Sequence, residues 1–138
     1  MLNERIERMI SFAYAQLEKH YRWGGNGPNN FDCSGLVLAC LKVSNFFPSD
    51  VDTTAQDIYF YLSNQNWIEK KCRGAICFFG KRRDRITHIG IMVDDNNFIG
   101  ANGGNSLTIS DEIAIKMNAK VDIRPLRRDL IAYLYPNN

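Results

Sequence analysis

Tyr21-Arg22-Trp23-Gly24-Gly25 and, after a polar loop, Phe31-Asp32-Cys33-Ser34-Gly35-Leu36-Val37 form the stretch on which the fold turns. Trp23 to Asn30 holds three glycines, one proline and three asparagines, residues suited to turns and to positive φ. From Cys33 to about Val43 the pattern becomes helical, with Leu36, Val37, Cys40 and Leu41 on one face and Asp32 placed to cap the first turn. A cysteine therefore opens a helix directly behind a glycine-rich loop. The unpaired amides and positive dipole end favour an anion there, so the thiol is expected to tend towards thiolate, the nucleophilic form. Its own amide, or a neighbouring one, points to where an oxyanion would develop on an attacked carbonyl.

Outward from this stretch, Ile6, Met9, Ile10, Ala13 and Leu17 recur at steps of three and four, predicting an amphipathic first helix that could run to Tyr21. Phe46 to Asp52 reads as a connection. Thr53 or Thr54 then caps a third helix to about Asn64, with Ile58, Tyr61 and Leu62 apolar. From Gly74 the period changes: Ala75 to Phe79 suits a buried strand, and Thr87 to Val93 is rich in β-formers. Asn97 to Ala101 returns after the Asp94 to Asn97 turn as a hairpin. Val121 to Leu126 and Leu130 to Leu134 are two further strands about a turn near Arg127-Arg128-Asp129. Helices first and strands afterwards predict an α+β fold, N-terminal helices packed on a central antiparallel β-sheet. No linker or repeat divides residues 1–138, which are expected to form one domain.

At 138 residues the chain can bury a core without staples. Its 17 basic and 15 acidic residues leave a net charge of +2, which argues against a nucleic-acid partner. The one dense basic run, Lys81-Arg82-Arg83-Asp84-Arg85, reads as a solvated loop. Cys33, Cys40, Cys72 and Cys77 form no CxxC pair and are expected to be reduced thiols. With only His20 and His88 to join them, no metal site and no cofactor are expected. Glu4, Arg5, Glu7 and Arg8 interrupt the start of the chain where a signal peptide would be apolar, and no run reaches the length of a membrane span. Synthesis in the cytoplasm is the resulting expectation, with any action outside requiring another route.

A thiolate catalyst needs a base to hold its proton and return it to the leaving amine. His20 lies at the end of the first helix and reads as a surface or capping residue. His88 opens Thr87-His88-Ile89-Gly90-Ile91 on a strand; alone it would be taken as structural, but with a helix-start cysteine it becomes the candidate base. Cys40 continues the apolar face of the second helix, Cys77 lies inside an apolar strand and Cys72 in a charged loop, so these three read as inert.

In order and spacing, Tyr21-Arg22-Trp23-Gly24-Gly25, Phe31 to Val37, Gly74-Ala75-Ile76-Cys77-Phe78-Phe79 and His88-Ile89-Gly90-Ile91 resemble the NlpC/P60 cysteine peptidases, from about Tyr21 to Ala101. The resemblance implies a papain-like α+β fold and hydrolysis of amide bonds in the stem peptides of bacterial peptidoglycan. It matches Cys33 to the nucleophile, His88 to the general base, and Tyr21 to a residue that helps hold an oxyanion or substrate. Asp32 and Ser34 match polar residues beside the nucleophile, which in some members contact the substrate amine; their plainer roles are helix capping, as Tyr21's is core packing. Two positions depart from the family. Gly100 follows Phe98-Ile99 where a polar residue, most often histidine, orients the base, and Ala75 replaces an aspartate at the strand start. Asn102, two residues beyond Gly100 and on the same strand face, is the candidate third catalytic residue. It lies directly opposite His88 only if the Asp94 to Asn97 loop is effectively odd in length. A backbone carbonyl, a water or a degenerate site are the alternatives.

The main expectation is a thiol amidase of the cell wall acting as a monomer. Without an export signal in the chain, a phage or phage-like setting fits, with release through a holin pore or carriage on a phage tail. Its rivals are a cytoplasmic amidase or acyltransferase on a soluble peptide or lipid, and a lapsed binding or tail-assembly module suggested by Gly100.

Overall fold

The computed structural model describes residues 1–137. Helix α1 (Leu2–Tyr14) buries Ile6, Met9, Ile10 and Ala13, the positions its amphipathic spacing selects. It stops earlier than its periodicity implied. Glu18 turns the chain at φ 74°, and His20 and Tyr21 continue as isolated β-bridges to Lys120 and Phe31, so Tyr21 is not helical. Helix α2 (Cys33–Val43) starts where Asp32, in extended conformation, accepts the Gly35 amide on its side chain. Helix α3 (Ala55–Ser63) is capped by Thr54, whose hydroxyl accepts the Asp57 amide.

The strands are β1 (Ile76–Arg82), β2 (Arg85–Met92), β3 (Asn97–Asn102), β4 (Lys120–Pro125) and β5 (Leu130–Leu134), in the order β4-β3-β2-β1-β5 with every neighbour antiparallel. The fold is α+β. Strands β1, β2 and β3 are covered on both faces, which explains why they read as apolar runs rather than as clean alternation. Ile76, Phe78, Ile89, Ile91, Ile99 and Val121 join the apolar residues of α1, α2 and α3 in the main core. Cys77, Phe79, Met92 and Phe98 form a second cluster with Leu130 and Tyr133.

Two elements differ from expectation. The basic run is not a loop: Arg82, the last residue of β1, pairs with Arg85, the first of β2, leaving Arg83 and Asp84 as the hairpin turn. A fourth helix, α4 (Asp111–Met117), precedes β4 and buries only Ala114, too little apolar surface to produce a strong periodic signal. Among the described residues no helix is long and apolar enough to cross a membrane.

Candidate active site

Tyr21, Trp23, Gly24, Asp32, Cys33 and Ser34 line a cleft of about 480 Å³. Asp52 and Thr53 from the connection before α3, Thr54 and Gln56 at its start, and Ile86 and Thr87 from β2 also line it. The glycine loop is folded onto the start of α2. The Asp32 amide donates to the Gly25 carbonyl at 2.8 Å, and a Cβ on Gly35 would lie 2.0 Å from that same oxygen. Only glycine permits this approach of loop to helix. Asp32 does most of the fastening: one carboxylate oxygen accepts from the Gly35 amide at 2.7 Å and the Ser34 hydroxyl at 3.2 Å, the other from the Gly24 amide at 3.1 Å. Both acidic and hydroxyl neighbours of Cys33 thus serve the cap while also facing the cleft.

Strand β2 carries His88 past the base of α2. Its start is clamped to α3 by Gln56, which accepts the Ile86 amide at 2.8 Å and donates to the Arg83 carbonyl at 2.7 Å. The His88 imidazole packs beside the paired rings of Phe79 and Phe98, at centroid distances of 5.6 and 5.9 Å. Its Nε2 lies 2.7 Å from Asn102 Oδ1. The pairing of Ile91 with Ile99 and Met92 with Phe98, continued along the strands, sets Asn102 directly opposite His88. The Val93 amide donates to the Asn97 carbonyl at 3.0 Å across the turn, which leaves residues 94 to 96 between them, so the intervening loop is odd in length. A Cβ on Gly100 would stand 3.0 Å from Asn102 Oδ1, so the missing side chain leaves room for the asparagine to lean towards the ring.

Cys33 approaches β2 at the residue after His88: the amides of Ser34, of Cys33 itself and of Ile89 favour its ionised form. Burial and the Asp32 charge outweigh them and push the thiol up to about 11. The expectation of a resting thiolate at the helix start is therefore corrected, because the helix end is buried and already neutralised by its capping carboxylate. Burial likewise takes His88 down to about 4, against the Asn102 hydrogen bond, with Arg127 and Arg124 adding to the fall. Each group alone prefers to be neutral. No hydrogen bond joins Cys33 to His88 among the described residues; such contacts commonly tighten only around a substrate. Burial also raises Tyr21, with Cys33 and Asp32 contributing, so its phenol stays a hydrogen-bond donor.

His20 stands apart, its Nδ1 3.2 Å from Asp111 in an exposed cluster with Arg22. Cys40 and Cys77 are fully buried, and all four thiols are free. Trp67 packs edge-on to Phe46 and lines a separate groove with no thiol or imidazole in it. Asp122 was missed by the sequence reasoning. It pairs with Gly100 across β3 and β4, and its Oδ1 accepts from Asn102 Nδ2 at 2.8 Å. A polar Asp122 and Arg124 two apart on a predicted strand were the signal that could have pointed to it.

Residues 18–124 match the NlpC/P60 family. Over 105 residues the chain is 30% identical to "Probable peptidoglycan endopeptidase LytE" of Bacillus subtilis, covering 76% of this chain and 29% of that protein. Over 93 residues it is 31% identical to "Probable endopeptidase p60" of Listeria innocua, covering 67% of this chain and 19% of the relative. The chain thus spans less than a third of the length of these curated relatives. Among solved structures, the peptidoglycan hydrolase RipB of Mycobacterium tuberculosis superposes with a TM-score of 0.72 at 18% identity, covering 98% of this chain and 65% of RipB.

Proposed function

The chain belongs to the NlpC/P60 family, and from that premise we propose that it is a cysteine peptidase hydrolysing amide bonds in peptidoglycan stem peptides, with Cys33 as nucleophile and His88 as base. The names of LytE and RipB support the substrate class. The observation that carries the chemistry is the imidazole held at Nε2 by Asn102, on the strand against which the Cys33 thiol lies.

With Asn102 Oδ1 accepting the Nε2 proton, Nδ1 keeps its lone pair and acts as the base. Since burial disfavours either charge alone, the proton passes from Cys33 Sγ to His88 Nδ1 together with attack on the substrate carbonyl carbon. The C–S bond forms and the carbonyl oxygen gains the negative charge, which backbone amides at the start of α2 and the Tyr21 hydroxyl stabilise. Collapse breaks the C–N bond as Nδ1–H protonates the departing amine. Water, deprotonated by Nδ1, then adds to the thioester, and release of the acid returns the proton to sulfur. Asp32 and Ser34 line the same cleft, which supports a role in meeting the substrate's polar groups.

The test is release of new amine termini from purified peptidoglycan, with mass spectrometry of the muropeptides. Cys33→Ala is expected to reduce release to the level without enzyme. An unchanged rate overturns the assignment.

A further inference from the structure

Outside the residues that the family resemblance assigns, Asp122 makes the best-defined contact with the site. Asn102 Nδ2 has two neighbours on the adjacent strand β4, the Asp122 carboxylate at 2.8 Å and the Asp122 carbonyl at 3.2 Å. Both are acceptors only, so the amide cannot be turned the other way without setting oxygen against oxygen. Asn102 Oδ1 must therefore face His88, 2.7 Å from Nε2, and an acceptor at that position requires the proton on Nε2. The carboxylate is itself held, since Arg124 Nε donates to both its oxygens at 3.0 and 3.1 Å and Arg124 also reaches the Asn118 carbonyl.

We propose that Asp122 is a positioning residue which, through the orientation of the Asn102 amide, fixes His88 in the Nε2–H tautomer and so keeps Nδ1 free to take a proton. This rests on the catalytic role given to His88 above, but its central readout does not need turnover. An amide alone presents an oxygen or an NH2 group with similar ease. The anion beyond it removes that choice, and the Arg124 guanidinium holds the anion in place.

The experiment is nitrogen-15 NMR of the imidazole ring in the full chain at neutral pH. Wild-type His88 is expected to show a protonated Nε2 and a lone-pair Nδ1; an Nδ1–H ring overturns the proposal at once. Asp122→Asn can offer its NH2 group to Asn102, so an Nδ1–H population is expected to appear. With it, kcat on peptidoglycan should fall about tenfold, the factor expected for one hydrogen bond involving a charged group, with KM little changed. A retained pure Nε2–H ring in Asp122→Asn overturns the idea. The exchange variant Asn102→Asp with Asp122→Asn restores an acceptor to His88 and a donor to the new carboxylate, and it is expected to regain the Nε2–H ring. Its failure to do so counts against the proposal even if the single variant does not fold. Loss of the cell-wall assignment would show instead as a Cys33→Ala enzyme of unchanged rate, with the wild-type tautomer as described.

Discussion

Burying His88 as a neutral ring gives the protein a specific sensitivity to acid. The imidazole is 9% exposed and its folded value is about 4, against 6.5 for an unperturbed histidine. Between these values the unfolded chain binds a proton that the folded chain refuses, so stability is complete above about pH 6.5 and falls as the pH drops towards 4. The fall from 6.5 to about 4 amounts to about 3–4 kcal/mol, of which about 2 kcal/mol is already lost at pH 5. His88→Gln removes the titration while retaining an amide NH2 that can donate to Asn102 Oδ1. Urea unfolding of both proteins from pH 7.5 to 4 isolates the contribution, because the carboxylates titrate alike in each. The wild-type protein is expected to lose about 2 kcal/mol more than His88→Gln by pH 5. Parallel pH profiles for the two proteins would refute the burial argument, and with it the account of a base that is neutral at rest.

Gly35→Ala is expected to cost about 1–3 kcal/mol in thermal or denaturant unfolding, because the new methyl meets the Gly25 carbonyl that ties the loop to α2. A stability within error of the wild type would mean that the loop can step back freely. Thr54→Ala removes the hydroxyl that accepts the Asp57 amide and should lower stability by about 1 kcal/mol, measured the same way. The Cys33→Ala and Asp122→Asn outcomes given above complete the set.

The elements with a strong local signal were legible in sequence. Helix α2 occupies Cys33–Val43 and strand β5 Leu130–Leu134, as their caps and apolar runs indicated. Where periodicity misled, a longer-range contact had taken over: the Glu18 amide donates to the Val121 carbonyl and Tyr21 to Ala119, which draws the segment after α1 onto β4 instead of extending the helix. Helix α4 went unseen because only Ala114 is buried, although Ser110 ahead of Asp111 and Glu112 is a capping signal that could have marked it. Motif and spacing selected Cys33, His88 and Asn102, and their register depended on a turn whose length sequence left open. Titration behaviour was beyond reach, since a helix dipole can be read from a sequence but the burial and the capping carboxylate that oppose it cannot. Asp122 was hidden for a similar reason: it reaches the site from β4 through a partner on β3 and touches neither sulfur nor imidazole in any local pattern.

The empty position at Gly100 has a consequence for how related chains are sorted into active and lapsed enzymes. Scored column by column, a glycine in place of the customary histidine counts as a lost catalytic group. In space an oxygen still stands 2.7 Å from the imidazole, delivered from one pleat further along the strand through the gap the glycine leaves. The two positions are coupled: restoring a side chain at 100 would crowd the one at 102, so neither can be judged, or mutated, without the other. Chains with a glycine in that column should therefore be sorted by the residue two places later before they are set aside as inactive.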